Sequence, residues 1–225
     1  MTTDVNTLRR TLECLTHFGI ATAYVRVNGV MVVYGYTDYA AVYCTVPAEG
    51  RGSCALPVAH LVKVLHTCMP HSLIRLAFGE HLRVVNEVEY TVSYVDRPLP
   101  ELSYPTVRSC SRYSVNIATL NRFLKLVGDT VSVDQGLTLR ASYESVIASS
   151  VSFPPFEHPL LSFFNVPLAC DERWDGPMDY SSTLLKYLCR TQSFQSSGVL
   201  VLCRGHLVYM ASRGEVTVQI CFTPV

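Results

Sequence analysis

Arg9 and Arg10 stand side by side in TLRRTLECL (7–15), among leucines at helical spacing. A hundred residues on, LNRFLK repeats the rhythm with Arg122 and Lys125. Between and after them, LVKVLH carries Lys63 and His66, and LLKYLCR carries Lys186 and Arg190 at i, i+4. Guanidinium and ammonium groups on a helix face bind phosphate without reading bases, and such binding weakens with salt. Acidic residues are nearly missing from the same segments, with Glu13 the exception. A single solvated helix face usually mixes both signs, so four basic segments together predict a polyanionic partner. No bond-making chemistry competes with this reading. There is no nucleophile elbow, Walker loop, H-E-x-x-H or paired-carboxylate motif, so the chain is expected not to be an enzyme. His81 and His206 hold equivalent places before LRVV and LVYM and are expected at hairpin turns. Asp171, Glu172 and Asp175 read as a solvated acidic loop, and neither a metal nor a cofactor is expected.

Overall composition neither supports nor opposes that partner. The 225 residues hold 18 Lys and Arg against 18 Asp and Glu, so only the placement of charge is informative. Nine cysteines are scattered through apolar patterns without a C-x-x-C pair, which predicts buried reduced thiols rather than a zinc site or a disulfide framework. The opening residues lack the basic and apolar regions of a secretory signal. The apolar runs are too short to span a bilayer as helices, so no membrane partner is expected.

The elements that must position the cations follow a repeated order. A helix over 4–18 buries Val5, Leu8, Leu12 and Leu15. It is followed by TAYVRVNGVMVVYGY (22–36), two apolar runs around Asn28-Gly29 that predict a hairpin. A third strand over 39–47 ends at Pro47. A helix over 55–69, with Pro57 in its first turn, is followed by three strands ending in EVEYTVSYV (87–95). Three prolines mark 97–110 as an extended connector. Beyond it the pattern restarts: a helix at 116–127, three strands over 130–154, a polar loop, a helix at 180–192, and three strands over 198–222. Asp4 and Asp179 are placed as helix caps. The chain thus reads as two α+β domains, 1–97 and 110–225 with a connector at 98–109. Each domain holds two helix-then-three-strand units.

This pattern, with its basic helices, resembles the DNA sliding clamps of the proliferating-cell-nuclear-antigen superfamily over essentially the whole chain. The resemblance implies clamp domains whose helices line a ring's inner face and whose strands form the outer sheets. It implies DNA-facing roles for Arg9, Arg10, Lys63, His66, Arg122, Lys125, Lys186 and Arg190, with double-stranded DNA as partner. Glu13 would then lie near phosphate unless Arg9, Arg10 or His17 neutralises it. Within the superfamily, LTHFGIATAYVRVNGVMV and the tail GEVTVQICFTPV are most similar to the Rad-one-type subunit of the nine-one-one checkpoint clamp. That implies a nuclear heterotrimer acting in damage signalling and repair. A replicative or viral processivity factor, homotrimeric or monomeric, is the alternative.

Ring subunits of this family join edge to edge. The resemblance places that interface on Tyr90, Val92 and Tyr94 of the first domain and on Ile147, Ser149 and Val151 of the second. Exposed edge strands are pairing templates, and Glu89, Pro154 and Pro155 are the residues available to blunt them. Partner peptides of the family dock near the connector and the last strand, which here implies Leu99, Leu102, Pro105, Phe222 and Pro224. The implied partners are two further clamp subunits or copies of this chain, a clamp loader, and client repair, signalling or polymerase proteins.

Overall fold

The computed structural model describes residues 2–101, 111–134, 136–141, 149–155, 176–190, 197–203 and 206–225. The readings placed on Leu102, Pro105, Ile147 and the acidic loop at 171–175 lie outside them, as does the side chain of Ser149. The chain forms two compact units: Met1–Thr37 with Ala41–Glu101 and Arg213–Val218, and Asp38–Ala40 with Leu102–Ser212 and Gln219–Val225.

In the first unit β1 (Thr2–Asp4) runs directly into α1 (Val5–His17). Asp4 stays extended and its Oδ1 accepts the Thr7 N–H at 2.8 Å, satisfying one of the donors that a helix start leaves open. Val5, Leu8, Leu12 and Leu15 recur three or four apart and are all buried. The helix stops where Gly19 takes φ +72° and its N–H donates to Thr16 O.

The next strand does not run straight. In β2 (Thr22–Tyr36), residues 22–28 pair with 51–57 of β3 (Ala40–Pro57), whereas 30–36 pair with 41–47. The Tyr24 ring stacks on Tyr36 with centroids 5.8 Å apart and meets Tyr34 at 5.4 Å. Twelve residues of straight strand would separate the first pair by about 40 Å. A Cβ on Gly35 would lie 3.0 Å from Thr22 O. The strand therefore reverses at Asn28-Gly29, with Gly29 at φ +73°, as the Asn-Gly dipeptide predicts. β3 continues past Pro47, rounds the tip of this hairpin near Gly50 (φ +114°) and descends its other side.

Tyr24, Arg26, Tyr34 and Tyr36 share one face of this sheet. Arg26 Nη2 and the Tyr34 hydroxyl both donate to Pro100 O, at 2.8 and 3.0 Å, and Val95 N–H donates to Ala55 O. Residues 95–100 are thereby held against that face. On the other face Val25, Met31, Val33 and Leu56 meet Leu8 and Leu12 of α1 and Leu61 of α2 (Val58–Thr67). β4 (Leu73–Ala77), β5 (Leu82–Val85) and β6 (Glu89–Val92) follow, and β1 closes their sheet in the order β1-β4-β5-β6.

The second unit repeats the plan. β7 (Ser111–Asn116) leads into α3 (Ile117–Leu124), where Asn116 Oδ1 accepts the Thr119 N–H at 3.1 Å. Then come β8 (Thr130–Asp134), β9 (Thr138–Ala141) and β10 (Ser149–Ser152). β11 (Met178–Ser181) leads into α4 (Ser182–Arg190), and β12 (Ser197–Cys203), β13 (His206–Arg213) and β14 (Val216–Phe222) follow it.

One rule governs all four βαβββ repeats. The strand that leads into one helix joins the strands that follow the other helix of the same unit. β1 leads α1 and pairs with β4, after α2; the end of β3 leads α2 and pairs with β2, after α1. β7 leads α3 and pairs with β12, after α4; β11 leads α4 and pairs with β8, after α3.

Several sequence expectations need correction. The leading strands β1, β7 and β11 add to the expected elements; three to six residues with one or two inward side chains make almost no periodic signal. Asp179 belongs to β11 and does not cap α4; its carbonyl accepts the Val225 N–H at 3.0 Å. β6 is four residues long, so Tyr94 lies beyond it, and its hydroxyl accepts the Gly79 N–H at 3.3 Å. Pro154 and Pro155 run beside β7, with Ser114 N–H donating to Pro154 O at 2.9 Å.

Candidate nucleic-acid interface

Each helix presents a buried apolar stripe to its sheets and leaves its cations on the rest of its circumference. α1 and α2 pack together in the first unit, and α3 and α4 in the second. Lys63, His66, Arg122, Lys125 and Arg190 are exposed, while Arg9, Arg10 and Lys186 are half-buried. The last turn of every helix holds a basic residue: His17, His66, Arg122 and Arg190. A cation there also complements the negative end of the helix dipole, so part of the pattern has a structural reason. Glu13 is the one acidic residue in the four helices.

Two chemistries hold the cations in place. In the second unit the Arg190 guanidinium lies 4.9 Å from the Tyr187 ring centroid, a cation–π contact that orients it without neutralising it. Arg122 Nη2 sits 3.5 Å from the Thr119 hydroxyl. In the first unit the charges are instead tied to one another. Arg9 Nη2 donates to Asn6 Oδ1 at 2.8 Å, and Arg9 Nε lies 3.7 Å from Glu13 Oε1. His66 Nε2, from α2, lies 3.9 Å from the same carboxylate oxygen. Asn6 Nδ2 is 3.1 Å from His71 Nδ1. Because the Asn6 oxygen is already accepting from Arg9, its amide nitrogen is the donor and His71 Nδ1 accepts.

Glu13 is therefore paired as the sequence requires, but by Arg9 and His66. Asn6 was legible in sequence as the i−3 neighbour of Arg9. His71 reaches Asn6 across 65 residues, from a turn where it holds φ +64°, and no local pattern marks it.

The other site residues divide. β6 and β10 each end a sheet, β1-β4-β5-β6 and β10-β9-β8-β11. Tyr90 and Val151 are half-buried on them, whereas the Val92 side chain is buried. Leu99 and Pro224 are half-buried. Phe222 is 1% exposed, so its ring presents no surface to a peptide; a core position in β14 explains its aromatic character. Among the described residues no group of His, Cys, Asp and Glu could hold a metal ion, and no helix is long and apolar enough to cross a membrane.

No protein-family model and no curated protein matches the sequence. Solved structures do match the fold. Proliferating cell nuclear antigen (PCNA) of A. fulgidus, in a structure with the C-terminal region of FEN-1 bound, superposes with a TM-score of 0.74 at 14% identity. The match covers 100% of this chain and 97% of that one. PCNA of Thermococcus kodakaraensis gives 0.73 at 16% identity, over 100% and 99%. The DNA polymerase III β subunit of Pseudomonas aeruginosa gives 0.69 at 16% identity, over 100% of this chain and 64% of that one. The chain has the sliding-clamp fold, extending over both units.

Proposed function

We propose that this chain is a non-catalytic subunit of a DNA sliding clamp, which holds duplex DNA without base specificity and tethers partner proteins to it. The observation that carries the proposal is the charge on the four helices: cations on each, one acid among them, on a fold shared with PCNA. Phosphate contacts of this kind position a protein on DNA and leave it free to move along the duplex. Tethering needs no bond-making chemistry, because it raises a partner's effective concentration at the DNA. The ends of two sheets, β6 and β10, support head-to-tail assembly with other clamp subunits.

The checkpoint heterotrimer, acting in the nucleus, is the finer reading, and its support is the likeness of LTHFGIATAYVRVNGVMV to the Rad-one-type subunit. Structural likeness to PCNA and to the polymerase III β subunit supports the replicative alternative. Light scattering separates them: a self-assembled trimer overturns the checkpoint reading, and a chain that assembles only with other clamp subunits supports it. The DNA role is tested by changing Arg10, Lys63, Arg122 and Lys186 together to glutamate. Fluorescence anisotropy with a labelled duplex at low salt should show binding by the wild-type chain and its loss in the variant. Equal binding by both removes DNA from the proposal.

A further inference from the structure

The two helix pairs treat their cations differently. Arg190 rests on an aromatic ring that leaves its charge free to act outward. Arg9 is held between the Asn6 amide oxygen and the Glu13 carboxylate, and His66 converges on the same carboxylate from α2. Glu13 and His66 are 36% and 55% exposed at the side chain, so neither charge is hidden from a ligand lying on the helices.

We propose that Glu13 is a positioning residue that acts as an electrostatic brake on the first helix pair, and that the charge on His66 sets its strength. This rests on the DNA-binding reading above. With His66 neutral, Glu13 cancels Arg9 and repels phosphate. With His66 protonated, the Arg9–Glu13–His66 group gains one positive charge and the brake is offset. Histidine is the side chain whose charge ordinarily changes between about pH 5 and 8, which is why the test compares two pH values.

The charged and titratable groups on the elements around His66 can be named. α1 carries Arg9, Arg10, Glu13 and His17; α2 itself carries His60 and Lys63; β6 carries Glu89 and Tyr90. Glu89 is engaged by Arg83 at 3.5 Å, which leaves Glu13 as the carboxylate paired with His66. Asn6 supports the arrangement from the other side. Its amide oxygen fixes one end of the Arg9 guanidinium, and its amide nitrogen is occupied by His71. Arg9 is thus held close to α1 rather than extended from it.

The experiment measures affinity of the full chain for a labelled duplex as a function of salt, at about pH 6 and pH 8, for wild type, Glu13→Gln, His66→Ala and the fourfold glutamate variant. Removing a unit charge roughly 6 Å from phosphate changes affinity by about threefold in a water-like dielectric. Glu13→Gln should therefore bind about threefold more tightly at pH 8. Its salt slope should steepen by about one if Arg9, once freed, takes up a phosphate. Wild type should tighten on acidification, and His66→Ala should lose most of that gain. If wild type binds and the fourfold variant does not, while Glu13→Gln matches wild type at both pH values, the brake is overturned and the DNA role stands. If no protein binds at any salt, the DNA role fails and the brake with it.

Discussion

Burial fixes the chemistry of six thiols. Cys14, Cys44, Cys54, Cys68, Cys189 and Cys221 are all buried. Loss of solvent pushes Cys54 and Cys221 up to about 12. It does the same to Cys14, with the Glu13 carboxylate adding to the effect. A thiol without its thiolate is inert. Of the nine cysteines, no more than three should therefore react with Ellman's reagent in the native chain at pH 8, against all nine in urea; a fourth fast thiol would contradict the packing. The sign of the pH effect follows. The folded value lies above the unfolded one, so the stabilisation is whole below about pH 9 and is lost as pH rises towards 12. Urea midpoints should fall over that window. The same residues show what sequence conveys at this scale. Scattered cysteines in apolar patterns announced burial, and Asn28-Gly29 announced its turn. The Arg9–Glu13–His66 convergence was hidden, because it joins residues 53 apart in the chain through helix packing that no local window contains.

At the scale of elements, the boundaries are set by caps and by strands that run into helices. Asp4 closes α1 through the Thr7 N–H, and changing Asp4→Ala should cost about 1 kcal/mol in urea unfolding, with Asp4→Asn retaining most of it. Equal losses for both variants would place the effect in β1 rather than in the cap. The four helices were legible because their leucines repeat with the period of a helix over ten residues or so. Strand pairing was legible in part. Strand faces were not legible, since Tyr24 and Tyr34 are about as buried as Val25 and Val33, but the hairpin turn was, from its Asn-Gly dipeptide. The strands before α1, α3 and α4 were not, since β1 has one buried residue, Thr3, to betray it. The reading of Phe222 failed for a related reason: a core aromatic at the end of β14 and a surface aromatic awaiting a peptide are the same letter, and only burial separates them.

At the scale of the whole molecule, neutral total charge conceals how the charge is arranged. The 18 basic and 18 acidic residues cancel, yet the four helices hold a single acid. Segregation rather than total charge is what a phosphate backbone would respond to, and the repeat makes that segregation readable in the sequence. The exchange of leading strands has a further consequence. A chain nicked at Gly50, where β3 rounds the hairpin tip, yields two pieces, 1–50 and 51–225. The first carries α1 and β1 but has surrendered the strand that completes its sheet, while the second keeps β4 paired to β5 but without β1. Neither piece of the first unit should hold its structure in isolation. Mixed, they should knit together by mutual strand donation, seen as helix and strand ellipticity beyond the sum of the separate spectra. Additive spectra would mean that each repeat folds by itself, and that the interlock is a seam rather than a dependency.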